Sequence, residues 1–344
     1  MKKYLFLIIS FLTALVANGA TWYVVPNGAG SKTGTSWANA YADVQTAIDS
    51  ASNAGGGEVW IAKGTYKHGS AMTMKNNVAI YGGFAGTETS KDQRTSGNNT
   101  ILDGENSYRV FNNNYTESNP LTNSAKLDNV TIQNGKISGN GAGMYNCCAS
   151  PEITNCTFSG NSTSSNGGGM YNASSLSPVL TNCTFANNSA SYYGGGMCNY
   201  YASPEITNCT FSGNRASSGG GMFNIDYSSP TLTNCILWGN TASLSGNEIY
   251  NDDSNNKPTI DTCIIKGGYS SYGNYTNIIT ADPKLIPLGN YGGSVQTMPV
   301  VSGSSAIGTG KVVEGVTTDA REVARSTTNP TIGAYEYVKV KTPF

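Results

Sequence analysis

Two glutamates open the chemical question. Glu152 and Glu205 occupy the same place in two near-identical copies of Ser-Pro-Glu-Ile-Thr-Asn-Cys-Thr-Phe-Ser-Gly-Asn. Paired carboxylates are the working groups of glycoside hydrolysis, and an inverting pair stands about 6.5–9.5 Å apart. If the two copies lie two strand spacings apart, about 10 Å separates the carboxylates. No third charge joins them, because residues 141–240 carry only Glu152, Glu205, Arg215 and Asp226. Acid–base or lyase chemistry needs several convergent charged groups. Both glutamates therefore read as solvated side chains of a duplicated segment, with catalysis at Glu152 and Glu205 as the alternative. Asp252, Asp253 and Asp261 match no calcium-loop spacing and read as acidic turns. His68 is the single histidine, follows Tyr66-Lys67 in a loop, and reads as surface. No metal site, cofactor or catalytic residue is expected.

Eight cysteines offer a second chemistry. Cys156, Cys183, Cys209, Cys235 and Cys263 recur inside one phrase, Thr-Asn-Cys-Thr-Phe and its decayed forms. Stacked in one column, their Cβ bonds would run parallel and about 4.8 Å apart, wider than the roughly 3.8 Å of a disulfide. They read as reduced apolar fillers. Cys147, Cys148 and Cys198 fall outside the column, and their pairing is left open. The third candidate chemistry is aromatic: Tyr192, Tyr193, Tyr200, Tyr201, Tyr227, Tyr269, Tyr272 and Tyr275 fall in expected turns. Tyrosine offers a broad contact face with a hydrogen-bonding tip, which suits a glycan or a protein partner, while packing over adjacent turns is the plain alternative. Tyr192, Tyr193, Tyr200 and Tyr201 form the densest group and are the expected ligand-binding residues. A column of Thr157, Thr184 and Thr210 raises a further idea, an ice-binding face.

What positions all of these is a repeat. Gly-Ala-Gly-Met144-Tyr-Asn returns around Met170, Met197 and Met222, then as Asn-Glu-Ile249-Tyr-Asn, in steps of 26, 27, 25 and 27 residues. A fixed period of this size marks a solenoid. Within one period Cys156 and Phe158 share a strand face, being two apart, and Ile153 joins them if the chain bends at Thr154-Asn155. Asparagine accepts the left-handed backbone such a bend needs. Each coil is expected to hold three short strands and three turns. Glycine triplets argue against helix. The columns are Met144, Met170, Met197 and Met222; the five cysteines; and Phe158, Phe185, Phe211, Leu237 and Ile265. Asn155, Asn182, Asn208 and Asn234 should form one amide ladder, and Asn146, Asn172, Asn199, Asn224 and Asn251 another.

A solenoid has two raw ends to cover. Val44, Ala47, Ile48 and Ala51 fall at helical spacing and predict an N-terminal capping helix. The residues after Asp282, where the repeat stops, predict the second cover. At the start, Lys2 and Lys3 precede the apolar run from Tyr4 to Val16, and small residues follow, the pattern of a signal peptide cleaved near Gly19 or Ala20. Beyond it no stretch approaches the ~20 apolar residues of a membrane span. Without Lys2 and Lys3 the chain carries 18 basic and 21 acidic residues, which offers nucleic acid no basic face.

The paired motifs resemble the repeats of chlamydial polymorphic outer-membrane proteins. Their Gly-Gly-Ala-Ile-like element corresponds to Gly167-Gly-Gly-Met170 and its kin. Their Phe-x-x-Asn element corresponds to Phe158-Ser-Gly-Asn161, Phe185-Ala-Asn-Asn188 and Phe211-Ser-Gly-Asn214; Leu237-Trp-Gly-Asn240 departs from it. The likeness covers roughly residues 129–265 and implies an all-β, right-handed parallel β-helix of the pectin-lyase-like class, displayed on a bacterial surface and serving adhesion. The tail resembles choice-of-anchor domains through Ala281-Asp-Pro-Lys-Leu285, Gly303-Ser-Ser-Ala306, Thr318-Asp319-Ala-Arg321 and Ile332-Gly-Ala-Tyr-Glu-Tyr337. The expected plan is a signal peptide at 1–20, an N-terminal cap and first coil at 21–75, coils at 76–280, a C-terminal β cap at 281–337, and a tail at 338–344. The expected role is non-catalytic binding of an extracellular glycan or surface protein, on or outside the cell. The alternative is a polysaccharide lyase or glycoside hydrolase of the same fold.

Overall fold

The structure, a computed structural model, describes residues 19–339; nearly all of the expected signal peptide therefore lies outside the described residues, as do the last five residues of the tail. From Met144 to Ser245 each turn of chain lays down four strands, as in Met144–Cys147, Glu152–Thr154, Thr157–Ser159 and Ser162–Thr163. Stacking produces parallel sheets of six, ten, eight and five strands. The fourth strand corrects the three-strand expectation. After the Gly160-Asn161 turn the Ser/Thr stretch does not remain a loop, because Ser162–Thr163 finds backbone partners in Ser189–Ala190 of the next coil.

Register is strict. Met144 pairs with Met170, Met170 with Met197, Met197 with Met222, and Met222 with Ile249. The methionine, cysteine and phenylalanine columns are buried together in one continuous core. Phe158, Phe185 and Phe211 stack with ring centroids 4.6 Å apart and planes nearly parallel. All eight cysteines are free, and the column thiols donate to backbone carbonyls, Cys183 Sγ to Ile153 O at 3.5 Å for example.

Corners need special backbone. Asn155, Asn182, Asn208 and Asn234 turn with φ between 52° and 55°, a conformation asparagine adopts at low cost. The glycine triplets answer to crowding as well as to φ. A Cβ on Gly195 would stand 2.4 Å from Arg215 O and 2.6 Å from Gly220 O of the following coil.

Amide ladders run through the interior. Asn113 donates to Asn146, Asn146 to Asn172, Asn172 to Asn199, Asn199 to Asn224 and Asn224 to Asn251, each at 2.8–2.9 Å. A row that sequence reasoning missed links Asn161, Asn188, Asn214 and Asn240 and ends on the Glu248 carboxylate at 2.5 Å. Burial pushes the Glu248 carboxyl above its ordinary range, against the hydrogen bonds from Asn240 and Gly239. The expected row from Asn155 to Asn234 breaks after its first link, Asn182 to Asn155 at 3.0 Å. The reason is competition from residues 311–325. Asn182 also meets Thr318 and Arg325, and Asn234 bonds to the Lys311 backbone.

The N-terminal cover is the helix Val44–Asn53, which buries Val44, Ala47, Ile48 and Ala51 and is capped by Asp43. His68 is not a surface residue. Its loop folds onto that cap, leaving the side chain 8% exposed with Nδ1 3.0 Å from Asp43 Oδ2.

Residues 282–337, the expected C-terminal cover, pack against the side of the solenoid. They run back along its flank as a strap. Near the far end Lys311 pairs with Asp261. In the middle Thr157 Oγ1 donates to Gln296 O at 2.7 Å and Ala334 N to Thr210 Oγ1 at 3.2 Å. At the near end Gly97 N donates to Gly293 O at 2.9 Å, and Arg94 reaches Glu322 at 2.6 Å. The reason lies on the eight-stranded sheet, whose outward Ile236 and Ile264 form a second small core with Val300, Ala306 and Ile332. Two buried carboxylates hold the strap's own folds. Asp319 accepts from Arg321 and from the amides of Arg321, Val323 and Glu336, while Glu336 accepts from Thr331 N and Arg325. Thr157, Thr184 and Thr210 are buried beneath the strap, which overturns the ice-binding idea.

Candidate ligand-binding corner

The strap occupies the eight-stranded face, while the six-stranded sheet carries its own outer aromatic cluster, in which Tyr171, Cys198 and Phe223 are buried. Along its strands methionine and asparagine point inward, so the residue between them points out. Tyr145, Tyr171, Cys198, Phe223 and Tyr250 therefore stack in register on the outer face. Tyr145 and Tyr171 lie parallel at 5.6 Å, and Phe223 and Tyr250 stack at 5.4 Å. Burial pushes the Tyr171 phenol and the Cys198 thiol well above their ordinary ranges. The next outward column is Cys147, Ala173, Tyr200 and Ile225.

Where these strands end, the chain turns left-handed. The turning residues are Cys148, Ser174, Tyr201, Asp226 and Tyr227, with φ of 49°, 81°, 51°, 52° and 60°. Asparagine or glycine serves most turns elsewhere in the repeat. A bulky residue held there costs on the order of 1–3 kcal/mol and survives only where its surroundings over-determine it. Four of the five turning residues, Cys148, Ser174, Tyr201 and Tyr227, line a groove of about 690 Å³, together with Tyr200, Cys147, Glu117 and Ser203. Tyr200 and Tyr201 meet edge to face at 4.9 Å, and Tyr201 and Tyr227 lie 6.2 Å apart. Tyr201 and Tyr227 are 45% and 64% exposed, so their faces are open to a ligand. Burial, with help from Cys148, pushes the Cys147 thiol up, which makes it a poor nucleophile near neutral pH.

The expected tyrosines divide. Tyr200 and Tyr201 form this corner with Tyr227. Tyr192 and Tyr193 stand at the opposite end of the same strand, where Tyr193 stacks on Phe223 at 4.3 Å. Tyr269 is not a free turn residue. Its hydroxyl accepts from Asn251 at 2.5 Å and donates to Tyr272 O at 2.7 Å, ending the amide ladder. The outward column from Tyr145 to Tyr250 was missed, although its signal, the middle residue of Met-Tyr-Asn, is in the sequence.

Glu152 and Glu205 are aligned on the ten-stranded sheet with Val179 between them. Glu152 pairs with Lys126 at 2.7 Å and faces a cleft of about 200 Å³ beside Val316 and Thr318 of the strap. Glu205 is exposed and lines no part of that cleft. Among the described residues no three of His, Cys, Asp and Glu gather where they could hold a metal ion. No helix among them is long and apolar enough to cross a membrane.

Comparison with known proteins concerns the fold. A crystal structure of pectate lyase Pel9A aligns over 92% of this chain and 96% of its own, with 13% identity and a TM-score of 0.43. No curated protein matches the sequence. Residues 144–280 match the family model described as the right handed beta helix region. With its all-parallel sheets stacked in register, the chain has the fold of a right-handed β-helix.

Proposed function

We propose that this is an exported β-helix that binds an extracellular glycan or protein at the Tyr200–Tyr201–Tyr227 corner without catalysis. One observation carries the reading: two tyrosines, Tyr201 and Tyr227, are kept at left-handed positions where asparagine or glycine would be cheaper, and both line the groove. Open tyrosine faces supply stacking area and hydroxyl tips at low entropic cost. The repeats resembling polymorphic outer-membrane proteins and the anchor-like tail support a surface location, as does the signal-like start. The glutamates that would carry hydrolysis face different surroundings, one of them already paired with lysine.

The test replaces Tyr200, Tyr201 and Tyr227 by serine and measures attachment of the purified protein to cells, matrix and a glycan array. The expected result is loss of attachment with an unchanged melting temperature. Release of unsaturated or reducing sugars from a pectin, alginate or glycosaminoglycan panel, abolished by Glu152→Gln or Glu205→Gln, would establish the enzyme instead.

A further inference from the structure

We propose that the corner groove takes a lysine- or arginine-bearing segment of a partner protein; this rests on the reading of the corner as the binding site and names the chemistry of its ligand. Elsewhere this molecule places cations over its aromatic rings. Lys91 lies 4.5 Å from the Tyr81 ring centroid, Arg109 lies 5.0 Å from that of Tyr145, and Arg321 lies 3.6 Å from that of Tyr335. Aromatic faces attract such charges within about 6 Å. No lysine or arginine lines the groove that holds Tyr200, Tyr201 and Tyr227.

Carboxylates follow the same contrast. Glu58 pairs with Lys91, Glu152 with Lys126, Asp261 with Lys311 and Glu336 with Arg325. Glu117 lines the groove, and Asp226 belongs to the turn that presents Tyr227. Neither enters an ion pair among the described residues. The negative field reaches the rings, since Asp226 is the leading cause that raises the Tyr201 phenol above its ordinary value. In the next coil Asp252 and Asp253 follow the strand Ile249–Asn251, which pairs with Met222–Ile225. The groove thus joins π faces, the unpaired carboxylate of Glu117 and the hydroxyls of Ser174, Ser175 and Ser203, with Asp226 next to Tyr227 in the chain. A neutral sugar could donate hydroxyls to a carboxylate but would leave its charge uncompensated. An extended peptide uses all three features: its ammonium or guanidinium against the rings and acids, and its backbone against the serines. About 690 Å³ exceeds one side chain and suits several residues of peptide.

The probe is fluorescently labelled Gly-Lys-Gly-Lys-Gly, with norleucine in place of both lysines as the uncharged control, titrated into the purified protein. The lysine peptide should bind at least about tenfold more tightly at low salt, and the advantage should shrink in 0.5 M salt. Glu117→Gln with Asp226→Asn should weaken the lysine peptide about tenfold without changing the melting temperature. Tyr201→Leu with Tyr227→Leu should abolish binding, and near-native circular dichroism should show the fold intact. Equal binding of the two peptides, no binding of either, or indifference to the carboxylate substitutions overturns the proposal. If serine replacements at the three tyrosines abolish attachment to cells or glycans while the carboxylate variants attach normally, the inference falls and the binding corner stands. If neither set affects attachment, both fall.

Discussion

The buried amide ladder makes an unusual prediction about additivity. Asn199 accepts from Asn172 Nδ2 at 2.9 Å and donates to Asn224 Oδ1 at 2.8 Å, and all three residues are fully buried. Asn199→Ala strands one donor and one acceptor. At about 1–3 kcal/mol per buried orphan, the orphan cost is roughly 2–6 kcal/mol. Asn172→Ala strands the Asn146 donor and the Asn199 acceptor, for a similar cost. The double variant strands the Asn146 donor and the Asn224 acceptor. That is still only two groups, because the two deletions share one broken link. The orphan cost should therefore stay near roughly 2–6 kcal/mol instead of doubling. Only the cavity contributions should add. Urea denaturation of the four proteins, read by circular dichroism and tryptophan fluorescence, closes the double-mutant cycle. A coupling energy of several kcal/mol in the sense of less-than-additive loss is expected. Strict additivity would mean that water enters and satisfies the broken ends, and would refute the picture of a dry chain of amides.

Other outcomes follow from the same structure. Phe185→Asp, at the centre of the stacked rings, should unfold the protein or remove several kcal/mol, since an unpaired charge would enter a continuous apolar core; a melting temperature within a few degrees of the parent would contradict this. The column thiols Cys156, Cys209 and Cys263, pushed up by burial, should resist iodoacetamide until urea unfolds the chain, and Cys147 should react first, as mass spectrometry of timed quenches would show. Asp43 is held at about 2, chiefly by its hydrogen bond to His68. Its folded value lies below its unfolded one, so its stabilising contribution is complete above about pH 4 and is lost as pH falls through 2; Asp43→Asn should flatten the acid limb of a stability–pH curve. Arg325→Met should leave Glu336 buried without its guanidinium and loosen the strap, so that trypsin or chymotrypsin cuts within residues 282–337 while residues 144–280 stay protected.

Much of the architecture was legible because a repeat multiplies each weak signal. One Met-Tyr-Asn says little, but five in phase fix the strand, its inward face and its register. Asparagine at the Thr-Asn-Cys bend was readable for the same reason, since few other residues tolerate that backbone. The two-residue strands such as Ser162–Thr163 were not readable. Their pairing is set by neighbouring coils and not by any pattern of their own. The strap's path was hidden too, because it depends on outward Ile236 and Ile264, which interrupt the polar face only in the last coils. Asp319 and Glu336 stood out as motif residues, yet what they do is accept amides and guanidinium groups inside the strap. The proposed binding corner was half visible: Tyr200-Tyr201 drew notice as aromatic density, but the left-handed backbone of Tyr201 and the convergence with Glu117 and Tyr227 required coordinates.

The strap also acts as a ruler. Solenoids ordinarily gain or lose coils with little penalty, since each coil touches only its neighbours. Here one continuous segment is tied to Asp261 near the far end, to Thr210 and Thr157 between, and to Gly97 and Arg94 near the beginning. Inserting a coil would lengthen the stack by about 4.8 Å and pull every tie beyond it out of step. The number of coils is thereby fixed by a segment outside the repeat. The two ends are also joined in fate: fraying at either one must break contacts that the other helps to hold, so the stack should melt as one unit where an unstrapped solenoid would unzip from its tips.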